Sequence, residues 1–273
     1  MKVIKPLLMI IILSLCSHLV VASEPIQLCQ VGDTSCTFVL LSELNQDANH
    51  VNKGVISVNE GRANERLSPF STFKVANSLI ALDLGLIKNT KQELTYNKNT
   101  YPKQAWWPQV WQLPHYDLTT AFKYSMVSIY RELATSIGDK NMRSYLNKMN
   151  YGNEDISSGL DDFWLNGSMK ISAVEQIRFL RKIYHNQFAF NEHAINALKE
   201  VMAVETTKNY RMFAKTGAGK IDNGAMLGWY VGFVENSAGV HYFSFNLESP
   251  GYGEMKAKRV KVAKEHLKLA GII

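Results

Sequence analysis

Ser71-Thr72-Phe73-Lys74, answered far downstream by Lys215-Thr216-Gly217, constrains this chain more than any other feature. A serine and a lysine three apart project from the same face of a helix, so an amine can sit beside the hydroxyl that it activates. That is a nucleophile with its own base. Pro69 stands just ahead, and the apolar run from Val75 to Leu82 closes near Gly85, which are ordinary helix start and stop signals. The spacing predicts Ser71 in the first helical turn, where unpaired backbone N–H groups favour negative charge on an attacking oxygen or on the oxyanion it generates. A lone S-x-x-K is weak evidence, and taken alone a capped helix start with a solvated lysine accounts for it better.

The downstream triplet changes that weighing. Serine-nucleophile enzymes with S-x-x-K are read from three elements in order, the last being K-T-G. Lys215-Thr216-Gly217 is the chain's one K-[ST]-G, and Met212-Phe213-Ala214 before it reads as a strand leading in. Ala225 to Val234 and Val240 to Leu247 read as neighbouring strands from their aromatic and β-branched content. The triplet is expected on a sheet edge facing a helix.

The middle element has three candidates. Ser57-Val58-Asn59 precedes the nucleophile in a strand-like run, so its order is wrong. Ser172 with Glu175 ahead of an apolar helical stretch is a capping box, which explains that serine. Ser125-Met126-Val127 remains, inside a helical pattern carried by Phe122, Met126, Ile129 and Leu133. A serine bonded back to its own helix stays open as the alternative.

S-T-F-K, S-M-V, Tyr151-Gly152-Asn153, Phe163-Trp164-Leu165 and K-T-G, in this order, resemble the class D serine β-lactamases, the oxacillinases, across the chain beyond its first residues. The resemblance implies Ser71 as the acylated nucleophile and Lys74 as the general base, carrying a carbamate (N6-carboxylysine) formed with carbon dioxide or bicarbonate. It implies Ser125 as a proton relay, Val127 as an apolar wall, and Trp164 as hydrogen-bond donor to the carbamate. Lys215, Thr216 and Gly217 would face the substrate, and the N–H groups of Ser71 and Ala218 would form the oxyanion hole. Arg259 would bind the substrate carboxylate, although Lys256, Lys258 and Lys261 around it also read as a solvated basic helix face.

The residue types suit that chemistry. Keeping a lysine that titrates near 10.4 neutral at pH 7 opposes about 4 to 5 kcal/mol of protonation. Burial against Phe73, Val127 and Trp164 would push the amine down by desolvation. A neutral amine can attack carbon dioxide, and an indole N–H, a donor only, matches the resulting anion. The class A relatives use a separate glutamate in an E-x-x-L-N run for deacylation. This chain lacks that run; Glu192 with Ile195-Asn196 departs from it. Lys74 is therefore expected to serve both half-reactions.

Residues 1–23, with Lys2 and Lys5 and an apolar run from Leu7 to Leu15, read as a secretory signal peptide and predict a periplasmic protein. Cys16 leaves with it, so Cys29 and Cys36 are expected to pair in an oxidising compartment. The formal charge of +6 falls to +4 without the two signal lysines, a mild excess that suits anionic small molecules. No clustered arginine and aromatic footprint supports nucleic-acid binding. The scattered histidines and the lack of H-E-x-x-H or paired Cys-x-x-Cys leave no expected metal. No resident cofactor is expected beyond the carbon dioxide on Lys74, and no membrane contact is expected after signal removal.

The predicted fold class is α/β of the α+β type: an antiparallel sheet built from the N- and C-terminal segments with flanking helices, and an inserted mainly helical lobe. The resemblance implies the same serine β-lactamase and penicillin-binding transpeptidase-like architecture. Residues 24–273 are read as one catalytic domain, with an α/β lobe near 24–65 and 205–273 and a helical lobe near 66–204. The proline-broken stretch from Tyr101 to Trp111 either flanks the cleft or packs inside. Two other functions stay open: a DD-peptidase, which usually has asparagine where Val127 stands, and a non-catalytic β-lactam sensor, which should be tethered by membrane helices.

Overall fold

A computed structural model describes residues 28–45, 52–165 and 167–273, so the expected signal segment lies outside the described residues. The chain enters the sheet through β1 (Cys36–Leu44) and β2 (Asn52–Val58), followed by the short α1 (Glu60–Asn64). A 3-10 turn, Phe70–Phe73, then runs directly into α2 (Lys74–Asp83). The small ladder of β3 (Glu93–Leu94) and β4 (Tyr116–Asp117) comes next. It is followed by α3 (Leu118–Lys123), α4 (Val127–Ile137), α5 (Asp139–Met149), α6 (Ala173–Tyr184) and α7 (Glu192–Met202). The chain returns to the sheet as β5 (Ala203–Thr206), β6 (Tyr210–Lys220), β7 (Met226–Asn236) and β8 (Gly239–Ser249), and ends in α8 (Tyr252–Leu269).

The main sheet is antiparallel in the order β2-β1-β8-β7-β6-β5, so early and late segments join as expected, with α2 to α7 inserted between them. Alternation along the strands divides the core in two. Leu227, Trp229, Val231 and Phe233 of β7 face the helical side, while Tyr230 and Val234 pack with Met255, Val262 and Leu267 of α8 on the other. Helix α2 is buried from Lys74 to Leu82. A lysine wholly buried in a helix is rare unless something pairs with it, so Lys74 stands out in α2.

Helix ends follow local rules. Ser172 and Glu175 form the reciprocal capping box expected from their spacing. After α2, Gly85 takes φ 71° while Leu86 N–H bonds Ala81 O and Gly85 N–H bonds Leu82 O, a Schellman closure. Cys29 and Cys36 are joined as a disulfide with Cα atoms 5.8 Å apart. Among the described residues no helix is long and apolar enough to cross a membrane.

Two expectations need correction. The apolar periodicity around Ser125 predicts one helix, but the chain breaks there into α3 and α4, with Ser125 at φ 55°. Met126 N–H bonds Ala121 O and Ser125 N–H bonds Phe122 O, so the break is another Schellman closure, with serine in the left-handed position that glycine usually fills. One left-handed residue turns the chain without disturbing the apolar spacing, so the periodicity carries no trace of it. The second correction concerns the edge. Strand β6 is penultimate, but β5 covers it only from Arg211 to Phe213, leaving Lys215 to Lys220 without a strand partner on that side among the described residues.

Candidate active site

The 3-10 turn holding Ser71 lies against the open stretch of β6. Contact this close requires glycine on the strand: a Cβ at Gly217 would stand 2.8 Å from Pro69 O and 3.1 Å from Thr72 Cγ2. A Cβ at Gly219 would collide with the Phe70 ring. Phe70 itself is held at φ 47°, with its N–H on Trp164 O at 3.0 Å. A bulky residue in that region is strained, and the packing around it must hold it there.

Lys74 sits one turn along from Ser71, and its Nζ lies 3.2 Å from Ser71 Oγ. The side chain is completely buried, and burial pushes its amine down from 10.5 to about 7. The Tyr130 ring of α4 lies below, 4.9 Å from Nζ to the ring centroid. Tyr130 was not singled out in the sequence; its place five residues after Ser125 gave no signal beyond helical packing.

Trp164 is fully buried and stacks on Phe73 at 5.2 Å between centroids. Its Nε1 is enclosed and has no hydrogen-bond partner among the described residues. A buried donor without an acceptor is costly, roughly 1 to 3 kcal/mol, and calls for an explanation at the site. Val127, the first residue of α4, is half-buried against the same core.

Lys215 reaches from β6 to the Ser125 turn, donating from Nζ to Ser125 Oγ and to Thr216 O at 2.9 Å. Thr216 Oγ1 lies 3.5 Å from the same atom. Burial is the main cause that pushes Lys215 well below the ordinary lysine range, and the positive charges of Lys74 and Arg259 add to it. Arg259 leaves the exposed basic face that Lys256, Lys258 and Lys261 occupy and donates to Gly217 O at 2.7 Å. Its Nε is enclosed without a hydrogen-bond partner among the described residues. The reading of Arg259 as one more solvated charge therefore fails.

So the expected nucleophile, amine, second serine, K-T-G strand and arginine converge on one seam between the helices and the sheet. The family of penicillin binding protein transpeptidase domains matches residues 37–268. β-Lactamase OXA-48 of Klebsiella pneumoniae is 40% identical over 213 residues, covering 78% of this chain and 77% of the relative. The probable β-lactamase YbxI of Bacillus subtilis is 36% identical over 88% of this chain and 83% of its own. The crystal structure of FUS-1 (OXA-85), a class D β-lactamase from Fusobacterium nucleatum subsp. polymorphum, superposes with a TM-score of 0.77 at 31% identity, covering 87% of this chain and 93% of that one. The chain belongs to the class D serine β-lactamases.

Within this class D β-lactamase, Ser71, Lys74, Lys215 and Thr216 meet at the seam, with Val127 and Trp164 in its wall. Ser125 arrives by an unexpected route, from an inter-helix turn, whereas Arg259 comes from the C-terminal helix α8 as expected. The aromatic stretch divides: Tyr101, Trp107 and Trp111 are buried, while Trp106 is 67% exposed. Trp111 Nε1 donates to Tyr124 O at 2.7 Å and so braces the turn carrying Ser125. Among the described residues no group of three or more His, Cys, Asp or Glu is placed to hold a metal.

Proposed function

We propose that the protein opens the strained amide of penicillin-type β-lactams through a Ser71 acyl-enzyme and hydrolyses that ester, with Lys74 as base in both halves. The observation that carries this is a wholly buried amine, pushed down to about 7 by desolvation, at 3.2 Å from the serine hydroxyl. A lysine at its ordinary pKa would be charged and could take no proton; burial brings this one down to about 7, so the neutral form is accessible near neutral pH. Ser71 Oγ gives its proton to that nitrogen as it bonds the lactam carbonyl carbon. Negative charge develops on the carbonyl oxygen, where the N–H groups of Ser71 and Ala218 are assigned as donors. The Ser125 hydroxyl, held by Lys215, is assigned to hand a proton to the departing lactam nitrogen. The Arg259 guanidinium, which stays charged, and the hydrogen-bond donors of Lys215 Nζ lie together at the seam, which suits the substrate carboxylate.

The surroundings of Lys74 also fit a carbamate. A neutral buried amine can take up carbon dioxide, and the enclosed Trp164 N–H lacks the acceptor that a carbamate oxygen would provide. That group would supply an anionic oxygen base beside Ser71. The first 23 residues and the Cys29–Cys36 bridge support export to the periplasm, where disulfides persist.

Incubation with benzylpenicillin, following turnover and adduct mass together, tests the reading against its two relatives. Steady hydrolysis without a lasting adduct supports a hydrolase. A persistent adduct of one penicilloyl mass would instead assign a DD-peptidase or a sensor. A parallel carbapenem arm tests that class: turnover extends the range to carbapenems, and an adduct that persists excludes them as substrates.

A further inference from the structure

Away from the catalytic seam, a cavity of about 310 Å³ opens beside the β3–β4 ladder, and none of Ser71, Lys74, Ser125, Lys215 or Arg259 lines it. Its walls are aromatic and aliphatic: Leu94, Tyr96, Trp107, Trp111, Leu113 and Tyr116. Trp107 lies 5.7 Å from Trp111 and 6.1 Å from Tyr96, edge to face, so the rings brace one another. Tyr116 is fixed as well, since its hydroxyl accepts from Leu113 N–H and donates to Val110 O. Braced aromatic rings on one side and polar side chains from Glu93, Thr95, Lys98, Lys103 and Gln112 on the other give the mixed lining that a small amphipathic molecule needs.

The polar groups on its rim point to an anion. Lys98 and Lys103 line the cavity, and neither makes an ion pair among the described residues. The acid on the same wall, Glu93, is 60% exposed and turns toward the His115 ring, 2.8 Å away. Trp107 is only 8% exposed, so its ring is held in the wall of the cavity.

We propose that this cavity binds an aryl carboxylate: a ring seated among Tyr96, Trp107 and Trp111, with its carboxylate facing Lys98 and Lys103. Free aromatic acids and the ring-opened product of an aryl penicillin share that chemistry. Binding here does not depend on the hydrolytic roles assigned above.

The purified protein, labelled with ¹⁵N at tryptophan indoles, is titrated with phenylacetate, with acetate and with phenylacetamide. Phenylacetate is expected to shift the Trp107 and Trp111 resonances saturably and to leave Trp229 in place. Acetate lacks the ring and phenylacetamide the charge, so each is expected to bind at least about fivefold more weakly. Lys98→Ala/Lys103→Ala, changing two exposed side chains, is expected to weaken phenylacetate by a similar factor and to flatten its salt dependence. Arg259→Ala is expected to leave the shifts unchanged. Displacement of phenylacetate by ring-opened benzylpenicillin would identify the product as a ligand, and failure to displace would identify free aromatic acids. Equal binding of phenylacetamide, an unaltered affinity in the lysine variant, or loss of the shifts in Arg259→Ala would each overturn the site.

Discussion

Gly217 lies directly beneath Pro69, so close that a methyl group on its α-carbon would approach Pro69 O to 2.8 Å. The glycine of K-T-G thus lets the strand and the nucleophile's turn touch through their backbones. Gly217→Ala must push the 3-10 turn off β6 or bend the strand. Overpacking of this kind costs about 1 to 3 kcal/mol, and a displacement near 1 Å at the reacting centre costs about 100-fold in rate. Denaturation and kcat/KM are expected to show a modest loss of stability with a much larger loss of activity; unchanged kcat/KM would contradict the close approach.

Ser71→Ala is expected to abolish the penicilloyl adduct. Lys74→Ala removes the base while leaving Ser71 in place, so turnover should fall below detection, and any adduct that forms slowly should persist. Intact-mass spectrometry over hours separates these outcomes. Hydrolysis retained in either variant would overturn the assigned roles.

The unpartnered Trp164 N–H makes a separate test of the carbamate. Trp164→Phe keeps an aromatic ring on Phe73 and removes the donor, whereas Trp164→Ala would add a cavity cost of about 3 to 5 kcal/mol. In the phenylalanine variant, deacylation is expected to slow more than acylation, and added bicarbonate to restore part of the rate. Equal loss in both steps, with no response to bicarbonate, would assign Trp164 to packing.

Much of this site was legible because its chemistry needs fixed spacings. Ser71 and Lys74 must share a helix face, and K-T-G must lie on a strand, so both appear as local patterns. The capping box at Ser172 and the glycine stop at Gly85 are equally local. What escaped was set by single backbone conformations or by distant partners. The left-handed Ser125 leaves no mark on a hydrophobic period that continues from Phe122 to Leu133. Arg259 looks like its lysine neighbours until α8 is docked and Gly217 O supplies an acceptor. The aromatic stretch could not be divided by composition, because Trp106 and Trp107 are adjacent and face opposite environments.

Arg259 touches the strand backbone and none of the reacting atoms on Ser71 or Lys74. Arg259→Ala is expected to raise KM for a carboxylate-bearing β-lactam about tenfold or more, as loss of a charge-assisted pair does, with a smaller effect on kcat. Steady-state kinetics on one penicillin decides; a fall confined to kcat would place the arginine in the chemical step instead.

The pH dependence of the acylation rate, taken from single turnovers with benzylpenicillin, bears most directly on the buried amine. Lys74 must be unprotonated to accept the Ser71 proton, and burial has brought its pKa down to about 7, so the rate is expected to rise with pH through a midpoint near 7. In Lys74→Ala that limb should vanish together with the rate itself. Acylation that stayed level from pH 5 to pH 9, or that kept its limb and its speed in the alanine variant, would contradict a neutral Lys74 acting as the base.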